Sequence, residues 1–197
     1  APWTLLIYML NLKLGDKTVN LEKFNKNKSE NLVILDKLND FICTHIQNQF
    51  EGGADLVQIF DSWAGLIPSS HLKEYCYEPN KKLVNFCKKN KFPVICFPKG
   101  LNNKYVDFLD YVKPDGLSID YDVDPLWARN NLKNVCLQGG LDPKLLLGDE
   151  KNLFYEVDKY LKIFKKTPYI FNLGHGLLPE TNPDVLNNII KKVHSYK

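Results

Sequence analysis

Six short apolar runs, at residues 3–9, 55–60, 93–97, 116–119, 134–138 and 169–173, alternate along this chain with stretches of helical periodicity. Runs of strand length with nearly continuous apolar character suit parallel strands covered on both faces. Between them, residues 31–50 set Leu32, Ile34, Leu35, Leu38, Phe41, Ile42 and Ile46 along one side, the spacing of a helix packed on a sheet. Residues 83–87, 106–111 and 153–164 repeat that pattern more briefly. Near the end, Asn182 reads as an N-cap and Pro183 as the first helical residue, with Val185, Leu186, Ile189, Ile190 and Val193 forming a buried stripe. Strands alternating with helices argue for right-handed βαβ units, hence an α/β protein built as an open doubly wound sheet or a barrel. The polar, lysine-rich stretch 13–30 reads as a long surface loop or lid.

Two strand ends concentrate chemistry. In GADLVQIFDSWAGLIP (53–68) the strand runs directly into Asp61, Ser62 and Gly65. In YIFNLGHGLLP (169–179) it runs into Gly174, His175 and Gly176, where glycines permit a tight turn and leave the imidazole uncrowded. Loops leaving the carboxyl ends of parallel strands are where α/β folds bind ligands.

Composition narrows the classes of partner. The formal net charge is +3, yet Arg129 is the only arginine. Arginine supplies the planar fork that grips carboxylates and phosphates in pairs, so the chain is poorly equipped to clamp a polyanion by itself. Lysines interleaved with asparagines, as in NKNKSEN (25–31), do not make a nucleic-acid surface. The glycine pairs at 52–53 and 139–140 match no phosphate-binding pattern. Cys43, Cys76, Cys87, Cys96 and Cys136 are odd in number, scattered among apolar neighbours and never in a CxxC arrangement, which implies a reducing compartment, buried thiols and no spelled-out zinc site. No apolar run reaches roughly 18 residues, so no membrane span is expected.

Four blocks in order, APWTLLIYML (1–10), GADLVQIFDSWAGL (53–66), VCLQGGLDP (135–143) and FNLGHGLLPET (171–181), resemble signature blocks of the uroporphyrinogen decarboxylase family. The resemblance runs from Ala1 almost to the last residue and implies a TIM (β/α)8 barrel, here a truncated one forming a single domain over residues 1–197. Six of eight β/α units would be visible, with the first two strands and helices missing. The length agrees, because a complete barrel takes about 250 residues and this chain has 197. The resemblance also implies removal of the four acetate carboxyls of uroporphyrinogen III to give coproporphyrinogen III, without metal or organic cofactor, by a homodimer of the cytoplasm or plastid. Substrate contacts carry over to Tyr8, to Ser62 and to His175. The family's catalytic aspartate and carboxylate-holding arginines would lie upstream of Ala1, so the chain alone is expected to be inactive.

Without the surrounding blocks, Tyr8 would read as a strand aromatic and Ser62 as a turn former; an isolated histidine is more often structural, but two flanking glycines and a strand-end position favour function for His175. Asp61 is a tempting general acid, but an ionised carboxylate bonded to backbone at a strand end is the plainer reading. His45, His71 and His194 match no block. Gly140 replaces an asparagine of the family's LQGNLDP, losing an amide that could brace the loop, and Tyr121 stands for a tryptophan. Two rivals remain: a zinc-dependent methyltransferase of the same fold, which needs thiolate ligands at strand ends, and a noncatalytic barrel partner.

Overall fold

The computed structural model describes residues 1–15 and 18–196. They form two compact units, Ala1–Asp115 and Gly116–Lys197.

The first unit runs α1 (Pro2–Met9), β1 (Lys13–Leu14), β2 (Thr18–Val19), α2 (Leu21–Lys26), α3 (Lys28–Glu51), β3 (Val57–Asp61), a series of short 3-10 and π turns, α4 (Glu78–Lys89), β4 (Val94–Pro98) and α5 (Tyr105–Val112). β3 and β4 pair in parallel, from Val57 opposite Val94 to Asp61 opposite Pro98. All five residues of β4 are buried, as the continuous apolar run requires of a strand covered on both faces. Beside this pair lies an aromatic cluster in which Trp3 stacks on Tyr75 at 5.2 Å and Phe24 meets both rings edge-on. All three side chains are fully buried.

The second unit runs β5 (Gly116–Ile119), α6 (Pro125–Asn131), β6 (Cys136–Gly139), α7 (Glu150–Phe164), β7 (Tyr169–Ile170) and α8 (Pro183–Ser195). β5 pairs with β6 and β6 with β7, both in parallel. Each of its helices begins at a side-chain cap: Asp124 accepts from Trp127 N, Asp149 from Asn152 N and Asn182 from Asp184 N. Such caps contribute about 1 kcal/mol each and fix where the preceding loop stops. Leu153, Val157, Leu161 and Phe164 are the buried stripe of α7.

Five of the six apolar runs are therefore strands, and the parallel pairing is as expected. The first run is not a strand. Residues 3–9 lie in α1, where Pro2 occupies the first turn and Trp3, Leu6 and Ile7 are buried at helical spacing while Leu5, Tyr8 and Met9 face outward. An apolar run of this length carries no period that separates a strand from a buried helix, and Pro2 presets the helical φ. The loop expected over 13–30 is also mostly ordered structure: β1 and β2 pair as an antiparallel ladder, and α2 is capped by the Asn20 side chain. Asp16 and Lys17 of that stretch lie outside the described residues. Two helical stripes are shallower than their spacing suggests, since Phe41 of α3 is 66% exposed and Ile190 of α8 is 50% exposed, leaving Ile189 as the buried residue of α8. Among the described residues no helix is long and apolar enough to cross a membrane.

Candidate functional site

In the first unit the site grows from the carboxyl end of β3. Phe60 is the last outward-facing residue of the strand, Asp61 turns inward and is 1% exposed, and Ser62 emerges exposed. Trp63 then folds back under Ser62, 9% exposed, and its carbonyl accepts from Trp3 Nε1 at 3.3 Å. The Tyr8 ring packs edge-on against Trp63, centroids 6.0 Å apart, and the residue remains 59% exposed. Tyr8, far away in sequence, thus packs on the residue that directly follows Ser62. Lys13 of β1 sets its ammonium 5.2 Å from the centre of the same ring, a cation–π approach that brings positive charge to this surface.

The turn after β3 has no room to move. Gly65 N donates to Lys99 O at 2.8 Å, and a Cβ on Gly65 would stand 2.6 Å from Gly100 O. Glycine is required here for close backbone approach rather than for its φ. A recess of about 260 Å³ opens beside this contact, lined in part by Gly65, Gly100, Asn102 and Lys104. It falls below the usual size of a drug-sized ligand site, about 300–1,000 Å³, and so suits one arm of a ligand rather than a macrocycle.

Beneath the turn, Asp61 departs from its expected role. Its carboxylate takes side-chain rather than backbone donors: Thr4 Oγ1 at 2.8 Å and Asn80 Nδ2 at 3.0 Å. Burial pushes its pKa up, and these hydrogen bonds oppose the rise. The neighbouring Cys76 thiol is pushed well above its ordinary value, by burial first and then by the Asp61 charge. Cys87 is raised to about 12 and Cys96 is raised as well, both chiefly by burial, so the buried cysteines are packing groups rather than nucleophiles. Cys43 and Cys136 are only half-buried, against the sequence reading.

In the second unit His175 is exposed at the end of the last strand. Gly174 N donates to Leu141 O at 2.8 Å, Leu141 and Leu173 form a parallel bridge, and a Cβ on Gly174 would come within 2.3 Å of Tyr121 N. The histidine turn is therefore pressed onto the turn after β5, whose Asp120 is 1% exposed. The Gly139–Gly140 turn after β6 is braced without the family's asparagine: Tyr160 OH donates to Gly140 O at 2.7 Å and Tyr169 OH to Gly139 O at 2.9 Å. Arg129 lies on α6, where its carbonyl accepts from Lys133 Nζ. Among the described residues no three His, Cys, Asp or Glu side chains gather as a metal would need.

Sequence reading named Tyr8, Ser62 and His175 and did not single out Thr4, Lys13, Trp63 and Asn80, which the structure sets beside the first two. Thr4 becomes visible only once residues 3–9 are read as a helix, because Thr4 and Tyr8 then share a face at i,i+4.

Parallel strands flanked by helices define an α/β protein, and exposed polar side chains stand on the turns at its strand ends, where such folds bind ligands. The sequence model of the uroporphyrinogen decarboxylase (URO-D) family matches residues 1–196, and the chain belongs to that family. It is 36% identical to a uroporphyrinogen decarboxylase of Rickettsia bellii, covering 100% of this chain and 59% of that protein. It is 39% identical to one of Orientia tsutsugamushi, covering 99% of this chain and 59% of the relative. For one of Wolbachia pipientis the figures are 35%, 100% and 58%. The chain thus spans less than two thirds of the length of these relatives. Among solved structures, a methyltransferase from Methanosarcina mazei superposes with a TM-score of 0.78 over 99% of this chain and 57% of that one, at 16% identity, which speaks to fold alone.

Proposed function

We propose that the chain acts as part of a uroporphyrinogen decarboxylase, a cofactor-independent lyase that converts uroporphyrinogen III to coproporphyrinogen III. On this reading both units belong to one (β/α)8 barrel domain of a homodimeric enzyme. The observation that carries it is exposed Tyr8 packed on Trp63, the residue next to exposed Ser62 at the end of β3, in a chain that matches the family over residues 1–196.

Each decarboxylation exchanges one carboxylate for a proton. Protonation of a pyrrole carbon makes a cationic ring that takes up the electron pair of the breaking bond to CO2. The exocyclic methylene left behind then gains a proton and becomes the methyl, and the ring carbon releases the proton it took up, which restores the pyrrole and leaves a net gain of one proton. The protein must hold acetates in place and stabilise ring charge, the two tasks for which preorganised donors and proximity count most. Ser62 and Tyr8 hydroxyls donate to substrate carboxylates, Lys13 adds a cation beside them, and His175 supplies a donor on its tight turn. The acid that protonates the ring is not among these residues, and neither are the arginines that grip carboxylates, since Arg129 sits on a helix. The 197-residue chain alone is therefore expected to be inactive.

Anaerobic turnover of uroporphyrinogen III by the full-length protein tests the reading. Stepwise appearance of coproporphyrinogen, slowed by Ser62→Ala, Tyr8→Phe or His175→Asn in folded protein, supports it. No conversion by well-folded full-length protein sinks it and leaves a methyltransferase or noncatalytic role.

A further inference from the structure

Two side chains proposed to touch substrate reach one surface from different elements, and one buried group joins those elements. Tyr8 stands on α1, an eight-residue helix with no side-chain N-cap bond. A helix this short has little stability of its own, so its place and rotation depend on what it packs against. Thr4, one turn before Tyr8 on the same face, donates from Oγ1 to Asp61 Oδ1 at 2.8 Å. Asp61 is joined by a single peptide bond to Ser62. Its other oxygen accepts from Asn80 Nδ2 of α4 at 3.0 Å, and the same amide also reaches Cys76 O at 2.9 Å. Asp61 and Asn80 are both 1% exposed.

We infer that Asp61 is a positioning residue: its buried carboxylate fixes the helix bearing Tyr8 against the strand end bearing Ser62, so that both hydroxyls meet one ligand carboxylate group in register. This rests on the proposed decarboxylase reading of the site. The Thr4 and Asn80 hydrogen bonds to Asp61 are made by buried groups, so losing one is not made good by water. Asparagine is an imperfect substitute: it offers one acceptor oxygen where Asp61 uses two, so with that oxygen on the Asn80 amide its own amide faces Thr4 Oγ1, which must turn from donor to acceptor. Trp3 Nε1 to Trp63 O supplies a second, neutral tie between α1 and this turn, which lets the helix stay folded when the first is removed.

The experiment uses the full-length protein with Thr4→Val, which keeps the side-chain shape and deletes the donor, Thr4→Ser, which restores it, and Asp61→Asn. Thr4→Val is expected to lower kcat/KM for uroporphyrinogen roughly ten-fold or more, since misplacements near 1 Å cost up to about a hundred-fold. Thr4→Ser should recover most of that loss, and the Thr4→Val penalty should shrink in a Tyr8→Phe background. An equal penalty in both backgrounds, or lower stability with unchanged kcat/KM, overturns the inference. If Asp61→Asn does not fold, Thr4→Val decides. If the wild type does not decarboxylate, the functional reading fails separately, and positioning is read from tyrosine ring NMR signals. Tyr8 signals displaced by Thr4→Val and restored by Thr4→Ser support it; Tyr8 signals that stay in place overturn it.

Discussion

The turns of the two units hold their exposed polar residues by different means. In the first unit Tyr8 and Ser62 are placed by side chains: a carboxylate, a hydroxyl, an amide and a packed indole. In the second, His175 is placed by backbone, through a glycine pressed onto Tyr121 and turns braced by tyrosine hydroxyls on glycine carbonyls. A side-chain tie can be edited one atom at a time. Backbone contact leaves no such graded option, because any Cβ enters occupied space. The ties should therefore answer to mutation differently: the Gly174 contact, like Gly65 against Gly100 in the first unit, loses stability outright, whereas the Thr4–Asp61 tie loses alignment before stability.

The severest test of this contrast is Gly174→Ala. With Tyr121 N at 2.3 Å and Asp120 C at 2.8 Å from the added Cβ, neighbouring backbone must move. The expected cost is about 3 kcal/mol or more, measured by denaturant unfolding, and a value under about 1 kcal/mol would show that the turn yields. Gly140→Asn, which restores the family's residue, comes next. Asparagine tolerates the left-handed region near φ +57°, but Gly140 sits at φ +105° and its Cβ would meet Tyr160 Cε1 at 2.9 Å. Loss of about 2 kcal/mol is expected; a stabilised variant would mean that the brace is dispensable. Tyr160→Phe removes the brace itself and leaves the Gly140 carbonyl without that donor, for about 1–2 kcal/mol on the same unfolding curves.

How far each unit could be read from sequence follows the same division. Backbone devices leave a mark in composition, so Gly174 and Gly176 flanking His175, and the Gly139–Gly140 pair, announced their turns. The tyrosines that brace the second pair did not, because each lies 20 or 30 residues away from its glycine. Side-chain ties are harder still. Asp61 beside Ser62 was visible as a carboxylate, but its partners Thr4 and Asn80 lie 57 and 19 residues off, and Thr4 was hidden by reading α1 as a strand. β4 and β5 were legible because continuous apolar character follows from burial on both faces, whereas β3 and β7 show the same character although Phe60 and Ile170 are exposed.

The smallest effect concerns Asp61 and pH. Burial raises its folded-state pKa above the ordinary 3.8, despite the opposing charge of the Ala1 amino group and the Thr4 and Asn80 hydrogen bonds. Between those two values the folded chain keeps a proton that the unfolded chain has released. Stability from this group is therefore full below about pH 3.8 and is lost as pH rises through the raised folded value. The slope from one proton cannot exceed about 1.4 kcal/mol per pH unit. The raw pH curve mixes every titrating group, so the informative quantity is the stability of wild type minus that of Asp61→Asn at each pH. That difference should fall as pH rises across the window and level off above it. A difference that rises instead would mean that the donors around Asp61 outweigh its desolvation, making the carboxylate a stabilising anchor for α1 at neutral pH and strengthening the side-chain account of how Tyr8 and Ser62 are held.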